Sequence, residues 1–397
     1  MVQMCHIKDN NSSGEKCSMI LFSKKLRLFV ASCLFIIVIA FVFSGCLMMT
    51  VSTVFKSFPI LEGEPTVGEY YDICPDGALT SNGKPWHGIF KKGKVNKTVV
   101  YFFGGGASIT EETSKRGKEF YAVDMTAQDF VANGGIGSSA EDNPFKDWNF
   151  VIVPYTTGDF HTGTNEFRYY EKRKEKVIYH QGYKNYSLLM NSVLKYVEDS
   201  DTLLVTGFSA GGFATSLLAN DVIDYFPKAT NITACVDSSL LLYDGWKDTA
   251  TNLWKSPVEI SDRLVGNNIV LDSLNALHKK RGNNVKILFD CSYRDDTLQQ
   301  YQAYINYGKM EKNKKNGDLF QNDLKDMVND LQSNIPDIGI YIWDYNADSK
   351  TNNTQHTIIS SDFLVKLEEG KSIADWLWDA INGEVKTYGL HLLDKTE

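Results

Sequence analysis

No two of the seven cysteines (Cys5, Cys17, Cys33, Cys46, Cys74, Cys235 and Cys291) stand as C-x-x-C. Zinc-site and thioredoxin-like patterns are therefore absent, and neither a metal nor a cofactor is expected. Only three cysteines lie beyond an apolar N-terminal segment, which excludes a disulfide scaffold; free buried thiols are expected instead. Positive charge is also short: 41 Lys and Arg face 49 Asp and Glu, for a net charge of −8. That balance excludes wholesale nucleic-acid binding and gives no global attraction to an anionic polysaccharide. No internal repeat is visible. What remains, 43% hydrophobic and 23% charged over 397 residues, is ordinary globular composition, enough for one large α/β domain or two modest ones. The 12% aromatic content suits a large core or a carbohydrate-facing surface.

Residues 1–27 are polar and end in Lys24, Lys25 and Arg27. Residues 28–51 (LFVASCLFIIVIAFVFSGCLMMTV) then carry no charge, a run long enough to cross a bilayer, which needs about 20 apolar residues. Basic residues on its N-terminal side put 1–27 in the cytoplasm and the bulk of the chain outside. Three readings fit the run: an uncleaved signal anchor, a cleaved signal peptide, or a lipoprotein signal in which Cys46 of Phe43-Ser44-Gly45-Cys46 carries the lipid. All three export the rest. The expected organisation is therefore a cytoplasmic or signal region over 1–27, an anchor or signal segment over 28–51, a linker over 52–69 and one catalytic-sized domain over 70–397.

Beyond the linker, short apolar runs alternate with helical spacing. Strands are expected at 99–103, 150–153, 202–206, 232–236, 285–289 and 339–343. Helices are expected near 183–198, 210–225, 297–309, 318–333 and 372–382, with another from about Ser361. The alternation predicts an α/β fold with a mostly parallel sheet and helices on both faces.

Between the 202–206 strand and the helix after it lies Gly207-Phe208-Ser209-Ala210-Gly211, a G-x-S-x-G in strand–turn–helix context. A sharp turn there lifts a serine hydroxyl clear of the sheet, and the helix N-terminus aims N–H groups at any oxyanion formed on it. In such sites the acid and then the histidine follow the serine, each on a loop after a strand. His356, in a polar loop after the 339–343 strand, suits the base; His391, in the C-terminal tail, is the weaker choice. Asp290, Asp295 and Asp296 all follow the 285–289 strand, and Asp237 is a rival acid better suited to bracing a loop. An oxyanion hole needs the N–H of Ala210 and another from a glycine-rich turn, which Gly104-Gly105-Gly106-Ala107 offers through Gly106 and Ala107.

Taken together, Phe102-Phe103-Gly104-Gly105-Gly106-Ala107, Asn143-Pro144-Phe145-Lys146-Asp147-Trp148, Val153-Pro154-Tyr155 with Thr157-Gly158-Asp159, His180-Gln181-Gly182-Tyr183, the Ser209 turn, and Asp296 three before Gln299 resemble the pectin acetylesterase/Notum family from about residue 70 to 360. The resemblance implies an α/β-hydrolase-like fold and a metal-free carboxylesterase. It implies Ser209 as nucleophile, His356 as base and Asp296, rather than Asp295, as acid. Ala107 departs from the tryptophan usual there in plant and animal members, which leaves the aromatic wall of the pocket open. The expected activity is hydrolysis of a short, acetyl ester on a polysaccharide such as pectin. Removal of a longer acyl group, as in Notum, is the alternative. A non-catalytic surface-binding protein and a peptidase are further readings that the same residues allow.

Overall fold

The computed structural model describes residues 57–396, Asn133 excepted. The basic cluster, the apolar run over 28–51, Cys46 and most of the expected linker lie outside the described residues. From Ser57 onward the chain forms one compact unit.

Its centre is an eight-stranded sheet. In chain order the strands are β1 (Tyr70–Ile73), β2 (Gly88–Lys91), β3 (Lys97–Phe102), β4 (Asn149–Val153), β7 (Thr202–Phe208), β8 (Asn231–Asp237), β9 (Val285–Ser292) and β10 (Gly339–Trp343), arranged 1-2-4-3-7-8-9-10. The six from β4 to β10 run parallel; β1 and β2 add an antiparallel edge. A separate antiparallel hairpin pairs β5 (Asn165–Glu171) with β6 (Lys174–His180). Every residue of β4 and β10 is buried, as expected for strands covered on both faces. These uninterrupted apolar runs are what made the parallel strands legible. The edge strands and the hairpin were not expected: the hairpin is mostly exposed and polar (NEFRYYE, KEKVIYH), so no apolar run marks it.

Six helices of nine residues or more are described: α1 (Gly182–Val193), α2 (Ala210–Asp224), α3 (Ile269–Arg281), α4 (Leu298–Tyr307), α5 (Lys314–Asn334) and α6 (Ile373–Ile381). Of these, α3 was missed. It is set by local chemistry: the Asn268 side chain accepts from the N–H groups of Val270 and Leu271, and His278 to Arg281 place basic side chains in its last turn. The helix expected from about Ser361 is absent. Turns fill that stretch, and α6 starts only where Ser372 and Asp375 form a reciprocal capping box.

Register places the C-terminal ends of the central strands side by side. Phe102 lies against Gly207, Phe208 against Asp237, and Asp237 against Asp290. The loops leaving these ends, which carry Gly104 to Ala107, Ser209, Ser238, Tyr293 to Asp296 and, one strand further, His356, therefore crowd one edge of the sheet. That edge is where open α/β sheets bind ligands.

Candidate active site

Ser209 stands at the turn from β7 into α2 with φ 54° and ψ −124°, a left-handed conformation that non-glycine residues rarely adopt and that costs on the order of 1–3 kcal/mol. The turn is held from three sides. Its N–H donates to the Asp237 carbonyl at 3.0 Å, and its carbonyl accepts from Ser239 Oγ at 2.8 Å. Gly211 lets α2 descend onto β3; a Cβ there would lie 1.9 Å from the Phe102 carbonyl oxygen. Because α2 begins at Ala210, its first-turn N–H groups have no intrahelical partner.

The glycine-rich turn after β3 faces this helix start. The backbone bridges Gly106 to Tyr121: Ala107 N–H donates to the Phe120 carbonyl at 2.9 Å, and Ala122 N–H to the Gly105 carbonyl at 2.7 Å. This corrects one expectation. The Ala107 N–H is engaged by Phe120 and is not available to an oxyanion, whereas those of Gly106 and Ala210 have no hydrogen-bond partner among the described residues.

A second correction concerns the acid. Asp295 Oδ2, not Asp296, lies 2.7 Å from His356 Nδ1. Asp295 is fully buried, and its other oxygen accepts from the N–H groups of Thr297 and Leu298 at 3.0 and 2.8 Å. Asp296 turns outward to an ion pair with Lys312 at 2.9 Å. The physical reason is the pairing of the two loops. Thr354 N–H donates to the Arg294 carbonyl and Asp296 N–H to the Thr354 carbonyl, each at 3.0 Å. This short parallel bridge centres on Asp295 and Thr354. Side chains alternate across such a bridge, so Asp295 points in and Asp296 out. Gln299, whose spacing suggested Asp296, grips the backbone: its amide donates to the Asp295 carbonyl at 3.1 Å.

His356 has a side chain 16% exposed. Burial pulls its pKa down, but the charge of Asp295 and the hydrogen bond to it, with Asp237 and Asp296 farther off, outweigh burial and leave it above the ordinary histidine value. Its Nε2 is buried and has no hydrogen-bond partner among the described residues. Asp237 makes no hydrogen bond to the imidazole. It is fully buried, and Oδ2 accepts from the N–H groups of Ile358 and Ile359 at 3.1 and 3.0 Å. One residue thus ties the Ser209 turn, through its carbonyl, to the His356 loop, through its carboxylate. Beneath it, burial first and the Asp237 charge second push the Asp290 carboxyl well above the usual range. Sequence reasoning did not find Arg294. Its buried guanidinium bonds Asp318, Gln321 and the carbonyls of Lys314 and Thr351, locking the acid loop to α5. His391 is 72% exposed and pairs loosely with Glu368 at 3.8 Å.

A narrow pocket opens beside Ser209, walled by Gly106, Ala107, Phe160, Phe213, Leu298 and Tyr301. Its cavity volume is about 10 Å³, on the scale of a single water. Phe160 and Phe213 stack face to face with centroids 4.3 Å apart. The aromatic wall left open by Ala107 is thus supplied by other elements. Among the described residues no cluster of His, Cys, Asp or Glu suits a metal ion. Cys235 and Cys291 are buried free thiols, and Cys74 is exposed.

Residues 73–259 match the family model described as Pectinacetylesterase. This chain is similar to the pectinacetylesterases. Pectin acetylesterase 4 of Arabidopsis thaliana is 24% identical over 177 residues, which cover 43% of this chain and 41% of that protein's length. The crystal structure of the Wnt deacylase Notum from Drosophila superposes with a TM-score of 0.52 at 13% identity, covering 80% of this chain and 94% of that one. The α/β-hydrolase-like fold, with its mostly parallel central sheet, is therefore shared with Notum.

Proposed function

We propose that this chain is a serine carboxylesterase that removes a short acyl group, acetyl in size, from a carbohydrate. One observation carries the reading. A strained serine at a helix start shares one sheet edge with two unpartnered N–H groups and with a histidine whose Nδ1 is held by a buried carboxylate and whose Nε2 is unpaired. In this arrangement Ser209 attacks the ester carbonyl. His356 accepts its proton, passes it to the departing sugar oxygen, which leaves as a hydroxyl, and then activates the water that releases the acid. Asp295 fixes the tautomer that presents the Nε2 lone pair and stabilises the imidazolium. The N–H groups of Gly106 and Ala210 hold the tetrahedral oxyanion. The narrow pocket supports a short acyl group, and the similarity to an enzyme named for pectin acetyl esters supports a carbohydrate as the alcohol.

The uncharged run over 28–51 supports export, with the domain tethered at the outer face of a membrane or released. Among the described residues no helix is long and apolar enough to cross a membrane, so tethering rests on that N-terminal run alone.

The test is labelling with a fluorophosphonate probe together with acetate release from p-nitrophenyl acetate and acetylated polysaccharides. Labelling and turnover by the parent, both lost in Ser209→Ala, are expected. A parent that is neither labelled nor active would remove the esterase reading and leave a binding role.

A further inference from the structure

Tyr301, on α4, borders two spaces at once. On one side is the narrow pocket beside Ser209, and on the other an open groove of about 410 Å³ lined by Gly105, Lys118, Glu119, Phe120 to Asp124 and Tyr301 itself. The ring is fixed in place. Its hydroxyl donates to the Phe120 carbonyl at 2.5 Å, the same carbonyl that accepts the Ala107 N–H, and its ring meets that of Phe120 edge-on. It also fits tightly against the glycine turn: a Cβ on Gly106 would stand 2.3 Å from the Tyr301 hydroxyl oxygen. The Tyr301 side chain is therefore a partition between a space the size of one small group and a groove roomy enough for a chain.

We propose that Tyr301 is a specificity-determining residue that sets acyl length: its ring closes the acyl pocket, and without the ring the pocket opens into the groove along 118–124. This deepens the esterase reading and rests on it. With the wall in place, an acyl group longer than acetyl must displace packed side chains. With the wall removed, added methylenes run along Phe120 and Tyr121 and find apolar contact. Each methylene that does so is worth about 10–200-fold in kcat/KM, so a few suffice to reverse the preference. The hydroxyl's bond to Phe120 is separable from the wall, because phenylalanine keeps the ring and loses only the bond.

The experiment measures kcat/KM for p-nitrophenyl acetate and octanoate in the parent, Tyr301→Ala, Tyr301→Leu and Tyr301→Phe, with a thermal melt for each. The octanoate-to-acetate ratio is expected to rise at least about 100-fold in Tyr301→Ala and about 10-fold in Tyr301→Leu, given the value of a methylene contact. Tyr301→Phe should stay within about threefold of the parent ratio, whatever its absolute rate. Should Tyr301→Ala fail to fold, Tyr301→Leu decides. A folded Ala or Leu variant whose ratio stays at the parent's overturns the partition, as does a parent that already prefers octanoate. A parent that hydrolyses neither ester and resists the fluorophosphonate probe overturns the esterase reading, and the partition with it.

Discussion

Replacing Asp295 and Asp296 in turn by asparagine separates two neighbours that sequence alone leaves nearly equivalent. Asparagine at 295 keeps an oxygen to accept the N–H groups of Thr297 and Leu298, so the loop and the fold should survive. What changes is the contact at 2.7 Å to His356 Nδ1. An amide NH₂ there donates instead of accepting, which turns Nδ1 into the acceptor and leaves the proton on Nε2. That nitrogen can then no longer take a proton from Ser209. In triads the same exchange lowers kcat by about 10⁴-fold, equivalent to about 5 kcal/mol at 1.36 kcal/mol per tenfold. Asparagine at 296 removes an ion pair to Lys312 whose partners are 30% and 55% exposed, and one of the more distant charges acting on His356. Such pairs are worth roughly 0–1 kcal/mol, so a loss of about fivefold at most is expected. The assay is kcat/KM on p-nitrophenyl acetate at saturating buffer, with melting curves to show that both variants are folded. A larger loss at Asp296 than at Asp295 would refute the geometry, and two equal, mild losses would remove both from the mechanism.

Four further outcomes are expected. Esterase activity should fall as pH drops through the raised pKa of His356, because only the neutral imidazole accepts a proton; in Asp295→Asn that acid limb should move to lower pH. The same raised pKa works oppositely on stability: the folded state binds the proton more tightly than the unfolded chain, so this contribution is present below the unfolded value and is lost as pH rises through the folded one. A melt series across pH 5 to 9 with Asp295→Asn as reference should show the effect shrink in the variant. Asp237→Ala strands the buried N–H groups of Ile358 and Ile359, each worth about 1–3 kcal/mol. It should lower both the melting temperature and kcat, while Asp237→Asn, which can still accept, should retain most of each; equal losses in the two would point to the charge instead. For the full chain in its native cell type, the domain should pellet with membranes and be shaved by external protease, or appear in the medium if the segment is cleaved. Recovery from the cytosol would refute export, and loss of tethering in Cys46→Ser would favour the lipid-anchored reading.

What could be read in the sequence, and what could not, follows from the range of the forces involved. The parallel strands were legible because burial on both faces demands unbroken apolar runs, and β4, β7 and β10 supply them. The Ser209 turn was legible because close approach of backbones permits only glycine at Gly211, a requirement written in one residue. Which carboxylate meets His356 was not, because Asp295 and Asp296 are adjacent and equally capable. The choice between them is made by a bridge to Thr354, a residue 59 positions away that no local pattern announces. Ala107 was misread for the same reason: the partner that takes its N–H, the Phe120 carbonyl, arrives from a turn with no signature of its own. Gln299 is the more instructive case. Its spacing did mark the loop that meets His356, but its amide donates to the Asp295 carbonyl, so it braces that loop through the backbone. Asp237 extends the same logic. Its carbonyl holds the serine turn and its carboxylate holds the histidine loop, so one buried residue joins the two. The placement of Ser209 and His356 therefore rests on a second layer of polar groups, which hold the two loops in register.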